Sequence, residues 1–137
     1  MIATLLFDFS WVLAFPPSQQ NDVLELNDEL IEFVKQQPKL NSYIFSASSK
    51  RMLEKMRGSL TPPFIEIFSS KELSIYKHRS ESYQQIAKIM NTAPEKILFI
   101  DDSESNIEAA KAAGIQTIHY QNNQDFIKKF QLIVNSN

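Results

Sequence analysis

At 137 residues and 43% apolar composition, the chain is long enough to bury one core without crosslinks and too apolar to favour disorder. It has no cysteine, which excludes disulfides, thiolate metal sites and a thiol nucleophile, and its two histidines are too far apart in sequence for a zinc cluster. A net charge of −2 with dispersed Lys and Arg gives no footprint for nucleic acid, so any bound anion must be held by local groups.

The first element needs separating from a leader sequence. Met1 to Phe15 is strongly apolar, but no basic residue precedes the run and Asp8 interrupts it. It is also too short to span a bilayer. A buried strand over Ala3 to Phe7 leading into a loop is expected, and with it a cytoplasmic chain without membrane association. Leu26, Leu30, Phe33 and Val34 then recur at helical spacing, and Pro38 stops that segment. Tyr43 to Phe45 forms the next strand core. Met52, Leu53 and Met56 give a short helical face that Gly58 is expected to end.

Pro62 and Pro63 precede Phe64 to Phe68, whose end reads as a short third strand. Tyr83, Ile86, Ala87 and Met90 mark another helix. Ile97 to Ile100 is the fourth strand, followed by Ser103 as N-cap and a helix closed by Gly114. Ile115 to His119 is the fifth strand, and Phe126, Phe130 and Ile133 suggest a final helix over it. Strands alternating with helices predict one domain over residues 1–137. Its class is α/β: a doubly wound, Rossmann-like, five-stranded parallel sheet with helices on both faces.

In such a sheet ligands bind beyond the carboxyl ends of the strands. Asp8 stands after the first strand, Ser46 after the second, and Asp101 with Asp102 after the fourth. Carboxylates gathered there repel one another unless a cation sits between them. Oxygen ligands of this kind suit Mg²⁺ with water and phosphate. Taken singly, each residue has a plainer explanation. Asp-Asp-Ser before a helix is good capping chemistry, serines mark turns, and a lone lysine such as Lys77 is ordinarily solvated. The combination and its order carry the signal.

That order resembles the haloacid dehalogenase superfamily. LLFDFSWVL is similar to its first motif, a strand ending in Asp-x-Asp; IFSAS to its second; SSKELSIYKHRSESYQQIAKIM to the stretch holding its third-motif lysine. ILFIDDSESNIEAAKAAGIQTIHY is a close match to its fourth motif with the following helix and strand. The resemblance implies that Asp8 is the nucleophile, attacking phosphorus to form an aspartyl-phosphate. It implies a Mg²⁺ site made by Asp8, the backbone carbonyl of Ser10 and Asp102, with Asp101 beside it holding a water, a ligand or Lys77. Ser46 would donate to a phosphoryl oxygen, Lys77 would offset charge in the transition state, and Asn106 would help to orient the lysine.

The pattern is broken where phosphatases of the superfamily carry an acid/base Asp, because Ser10 stands there. A serine hydroxyl cannot take over that proton transfer, whose loss typically costs about 10²- to 10⁴-fold in rate. Ala47 replaces an Asn often found after the second-motif serine, and His78 replaces the proline usual after the lysine. His78 and His119 read as surface or capping histidines, although His78 could also carry protons near neutrality. Trp11, Phe15, Pro16 and Pro17 fall where the superfamily has its mobile flap.

Only a short loop and one helix are expected between Asp8 and Ser46, and one helix and strand between Ser46 and Lys77. No cap domain fits, and the site is expected to be open. Similar cap-less proteins take a large substrate that covers the site or borrow a neighbouring subunit as lid. The expected activity is a Mg²⁺-dependent hydrolase acting on a phosphorylated substrate, weakened or restricted to good leaving groups. The alternative is a catalytically degenerate Mg²⁺- or phosphate-binding regulatory module. A receiver domain has its acidic pair after the first strand, which is the wrong order for this chain.

Overall fold

The computed structural model describes residues 1–15 and 24–135. In chain order the strands are β1 (Thr4–Phe7), β2 (Ala14–Phe15), β3 (Glu25–Leu26), β4 (Asn41–Ser46), β5 (Phe64–Ser69), β6 (Ile97–Asp101) and β7 (Gln116–His119). The helices are α1 (Asp28–Lys35), α2 (Lys50–Leu60), α3 (Ser70–Leu73), α4 (Ser80–Ile89), α5 (Glu104–Ala112) and α6 (Asn123–Asn135). The main sheet has five strands in the order β5-β4-β1-β6-β7, and every pairing in it is parallel. The expected doubly wound architecture is therefore present.

Alternation along the strands divides the core into two layers. Leu5, Phe7, Ile44, Leu98 and Ile100 face one side, where α1, α2 and α6 supply Leu30, Val34, Leu53 and the rings of Phe126 and Phe130. Leu6, Phe45, Ile97 and Phe99 face the other, against Tyr83 and Ile86 of α4 and Ile107 and Ala110 of α5. Strands buried on both faces must read as unbroken apolar runs, which is why β1 and β6 were legible. In the first layer Phe126 meets Phe7 at 5.8 Å and Phe33 at 5.9 Å, ring centre to ring centre.

Several boundaries differ from the sequence reading. Leu26 belongs to β3 rather than to the first helix. The Asn27 side chain caps α1 by accepting from the Leu30 N–H at 3.3 Å, and its amide reaches back to the Val12 carbonyl. Gly58 lies inside α2, where an added Cβ would meet nothing within 4 Å. The helix stops at Thr61, extended because Pro62 follows it. The third strand occupies all of Phe64–Ser69, and α3 went unread. Ser103 holds the N-cap position of α5, yet its side chain makes no capping bond. Gly114, at φ +87°, closes α5 as expected: its N–H reaches the Lys111 carbonyl, and that of Ile115 reaches Ala110.

The connection from β1 to β4 holds the small antiparallel pair β2–β3, α1 and residues 16–23, so Pro16 and Pro17 of the expected flap lie outside the described residues. The segment from Ser46 to Lys77 is filled by α2, β5 and α3. Among the described residues, neither connection holds a further strand or helix. No described helix is long and apolar enough to cross a membrane.

Candidate active site

Register brings the acids together. Phe7 pairs with Ile100, and the Asp8 N–H donates to the Ile100 carbonyl at 2.8 Å, so the next residues, Asp8 and Asp101, leave their strands side by side. The chain turns from one flank of β1 to the other at this point, the place where open α/β sheets bind ligands. Oxygens of Asp8, Asp101 and Asp102 all lie within 4.8 Å of one another. Asp8 and Asp101 are buried, while Asp102 is exposed at the edge.

Lys77 enters this cluster from the segment between α3 and α4. Its Nζ lies 2.5 Å from Asp8 Oδ1 and 3.0 Å from Asp101 Oδ2. Its ammonium also lies over two apolar rings, with Nζ 5.6 Å from the centre of Phe45 and 5.8 Å from that of Phe99. The buried Tyr83 hydroxyl donates to the Lys77 backbone carbonyl at 2.6 Å, anchoring the loop that carries the amine. Asp101 is held in turn: the Ser103 N–H donates to Oδ1 at 2.9 Å and the Asn106 amide to Oδ2 at 3.0 Å. Asn106 thus orients the carboxylate that orients the lysine. Asp8 Oδ1 also accepts the Phe9 N–H at 2.8 Å.

The three carboxyl groups do not share one electrostatic state. Burial pushes Asp8 up to about 7, against the lowering field of Lys77 and with a further push from Asp101. Burial works against the Asp101 charge as well, but Lys77 and the Ser103 N–H outweigh it and hold Asp101 below its ordinary value. Asp102 is raised by burial and by its neighbour Asp101. Three carboxylates against one lysine leave a local charge of −2 when all are ionised. Oxygen donors with surplus negative charge at a strand-end cleft fit Mg²⁺, which takes few carboxylates and retains water and phosphate.

The cleft over this cluster has a volume of about 570 Å³ and opens to solvent. Ser10, Ala47, Ser48 and Asn106 form part of its wall. Ser46 is set back at the end of β4, 1% exposed, and its Oγ accepts the Ser48 N–H at 3.0 Å, leaving the hydroxyl proton to be donated. His78 is exposed at the cleft edge, its ring 5.6 Å from that of Tyr76. His119 has a use the sequence did not reveal: its Nε2 donates to the Asp102 backbone carbonyl at 2.9 Å. Tyr83 was legible only as a core residue. Both roles depend on how the loops carrying Lys77 and Asp102 fold back, six and 17 positions from the residues that hold them, and leave no local signature.

The fold and site define a Rossmann-like domain with a carboxylate cluster and a buried lysine at its switch point. A family model described as haloacid dehalogenase-like hydrolase matches residues 17–114, and the chain belongs to that family. The match spans Ser46, Lys77, Asp101 and Asp102, whereas Asp8 and Ser10 precede it.

Among curated proteins, the chain is 32% identical over 92 residues to "Phosphorylated carbohydrates phosphatase" of Thermotoga maritima, covering 66% of this chain and 43% of that one. It is 32% identical over 99 residues to "Enolase-phosphatase E1" of Lachancea thermotolerans, covering 66% and 45%. The chain therefore spans less than half the length of these relatives. Among solved structures, a HAD family enzyme from Bacteroides thetaiotaomicron, in complex with magnesium and inorganic phosphate, superimposes with TM-score 0.74 at 16% identity over 88% of this chain and 95% of that one. A HAD-like family hydrolase from Porphyromonas gingivalis superimposes with TM-score 0.78 at 15% identity over 98% of both chains. At these identities the shared feature is the fold.

Proposed function

We propose that this chain is a Mg²⁺-dependent hydrolase of phosphate compounds, working through an aspartyl-phosphate on Asp8 and restricted to substrates with good leaving groups. The observation that carries the reading is the contact of Lys77 with both Asp8 and Asp101 inside a carboxylate cluster only 4.8 Å across. A buried lysine shared by two acids, beside a third acid open to the cleft, suits an anionic nucleophile that must meet an anionic substrate. The curated relatives named as phosphatases and the fold neighbour holding magnesium and phosphate support the same reading.

Asp8, Asp102 and the carbonyl of Ser10 would hold the Mg²⁺, which supplies charge neutralisation to carboxylate and phosphoryl oxygens. An Asp8 carboxylate oxygen attacks phosphorus, forming the new P–O bond while the bond to the leaving group breaks and its electrons depart with that group. The Lys77 ammonium offsets the charge on the phosphoryl oxygens, and the Ser46 hydroxyl donates to one of them. Water then attacks the phosphorus of the aspartyl-phosphate, releasing inorganic phosphate and restoring Asp8. Ser10 donates no proton to the leaving oxygen, so the leaving group departs as its own anion. Acyl phosphates meet that demand and alkyl esters do not.

The test is Mg²⁺-dependent release of phosphate from acetyl phosphate and 4-nitrophenyl phosphate, with Asp8→Asn as control. Turnover abolished in the control is the expected result. Background rates on both substrates would overturn the enzymatic reading and leave a Mg²⁺-binding module.

A further inference from the structure

Two large aromatic side chains stand at the mouth of the cleft and have no part in the core. Trp11 is 56% exposed and Tyr76 59% exposed, yet both line the cavity that contains Asp8 and Lys77. Each is tied in sequence to a reacting residue: Trp11 lies three positions after Asp8, and Tyr76 immediately precedes Lys77.

The backbone holds them outward. Trp11 has φ +68°, a conformation costly for a bulky residue. It is fixed by its own N–H bond to the Ala14 carbonyl at 2.7 Å, while the N–H groups of Leu13 and Ala14 converge on the Phe9 carbonyl at 2.9 and 3.0 Å. Phe15 supports the indole edge-on, 6.5 Å away. The Tyr76 N–H donates to Ser82 Oγ at 3.0 Å, and the Arg79 guanidinium sits 5.4 Å from its ring centre. Backbone strain maintained at a cleft, with the side chain directed to solvent instead of the core, is a feature of ligand sites.

We propose that the cleft takes aryl phosphate monoesters, with the aromatic leaving group lying against Trp11 and Tyr76. The proposal rests on the phosphate hydrolysis reading above and names its substrate class. Two separate features converge on it. The rings supply flat apolar surface for a planar group, and aromatic pairs gain from offset or edge contacts. Ser10 demands a leaving group that departs without a proton, and a phenolate, whose conjugate acid has a pKa near about 10, meets that demand. The step balances as before: the Asp8–phosphorus bond forms, the phosphorus–aryl oxygen bond breaks, and the phenolate takes a proton from water.

Trp11 is the sole tryptophan, so its emission reports on the site directly. The probes are phenylphosphonate and methylphosphonate, which share the anionic head and are not hydrolysed, titrated in Mg²⁺. Phenylphosphonate should change Trp11 emission and bind about tenfold more tightly than methylphosphonate, and Tyr76→Ala should reduce that preference several-fold. In kinetics, Trp11→Ala should lower kcat/KM for phenyl phosphate about tenfold, mainly through KM, and reduce its ratio to that for acetyl phosphate.

Equal affinity for the two phosphonates overturns the proposal. If acetyl phosphate is then still hydrolysed, only the aryl assignment has failed. If neither phosphonate binds and acetyl phosphate is untouched, the hydrolase reading has failed with it. A phosphotyrosyl peptide turned over at least as well as phenyl phosphate identifies a protein side chain as the source of the aryl group. The reverse order identifies a small aryl phosphate.

Discussion

Replacing Lys77 by Met isolates the electrostatics of the cluster. Methionine keeps most of the length of the side chain, so the perturbation is chiefly loss of the ammonium, which lies over the Phe45 and Phe99 rings as well as beside the two acids. That ammonium lies 2.5 Å from Asp8 and 3.0 Å from Asp101, which are 8% and 0% exposed. Removing one partner from a buried charge pair costs about 3–5 kcal/mol, because the remaining charge is left uncompensated.

The sign of the pH dependence follows from the two acids. Asp8, raised from 3.8 to about 7, contributes stability at low pH that is lost as pH rises through 7. Asp101, held low, contributes stability at higher pH that is lost as pH falls through its depressed value. Without Lys77 both titrate higher, so the Asp101 contribution shrinks and the variant is penalised most where both groups are ionised. Urea unfolding in a chelator should show a deficit of about 3–5 kcal/mol at pH 8 that shrinks to less than about half at pH 5. Saturating Mg²⁺ should restore part of the deficit at pH 8. A deficit of the same size at both pH values, or none at pH 8, would refute the electrostatic account.

Asp8→Asn should eliminate turnover yet stabilise the metal-free protein at pH 8, since the buried carboxylate whose charge burial disfavours gives way to a neutral amide; chelator-containing urea melts of variant and parent check it. Ser10→Asp should raise hydrolysis of 4-nitrophenyl phosphate by about 10²- to 10⁴-fold, and unchanged rates would place the impairment elsewhere. Mg²⁺ at about a hundred times its Kd should stabilise the parent by about 2.7 kcal/mol, with Asp102→Asn needing more metal for the same shift in a thermal melt. Phe126→Ala should cost about 3–5 kcal/mol, read as a lower urea midpoint, because the ring is fully buried against Phe7 and Phe33.

Local chemistry was enough for the central strands β1 and β6, because they are covered on both faces and must be apolar throughout. It was also enough for Gly114 as a helix stop and for Asp8, Asp101 and Asp102 as strand-end acids, since a carboxylate directly after an apolar run has few dry alternatives. It failed at Leu26 and Gly58, where spacing and propensity alone were misleading. Leu26 entered a two-residue strand by pairing with Ala14, and Gly58 remained helical because Pro62, not the glycine, ends α2.

What the tertiary structure alone decided is who holds whom. The parallel register of β1 on β6 set Asp8 beside Asp101, and the return of the chain through α3 delivered the Lys77 ammonium between them. Tyr83 anchors that lysine's backbone and His119 that of Asp102 through bonds spanning 6 and 17 positions. Outward projection of Trp11 and Tyr76 was likewise invisible in one dimension. Sequence records which groups can carry charge or bury area; their pairing depends on strand order and loop paths, which long-range packing sets.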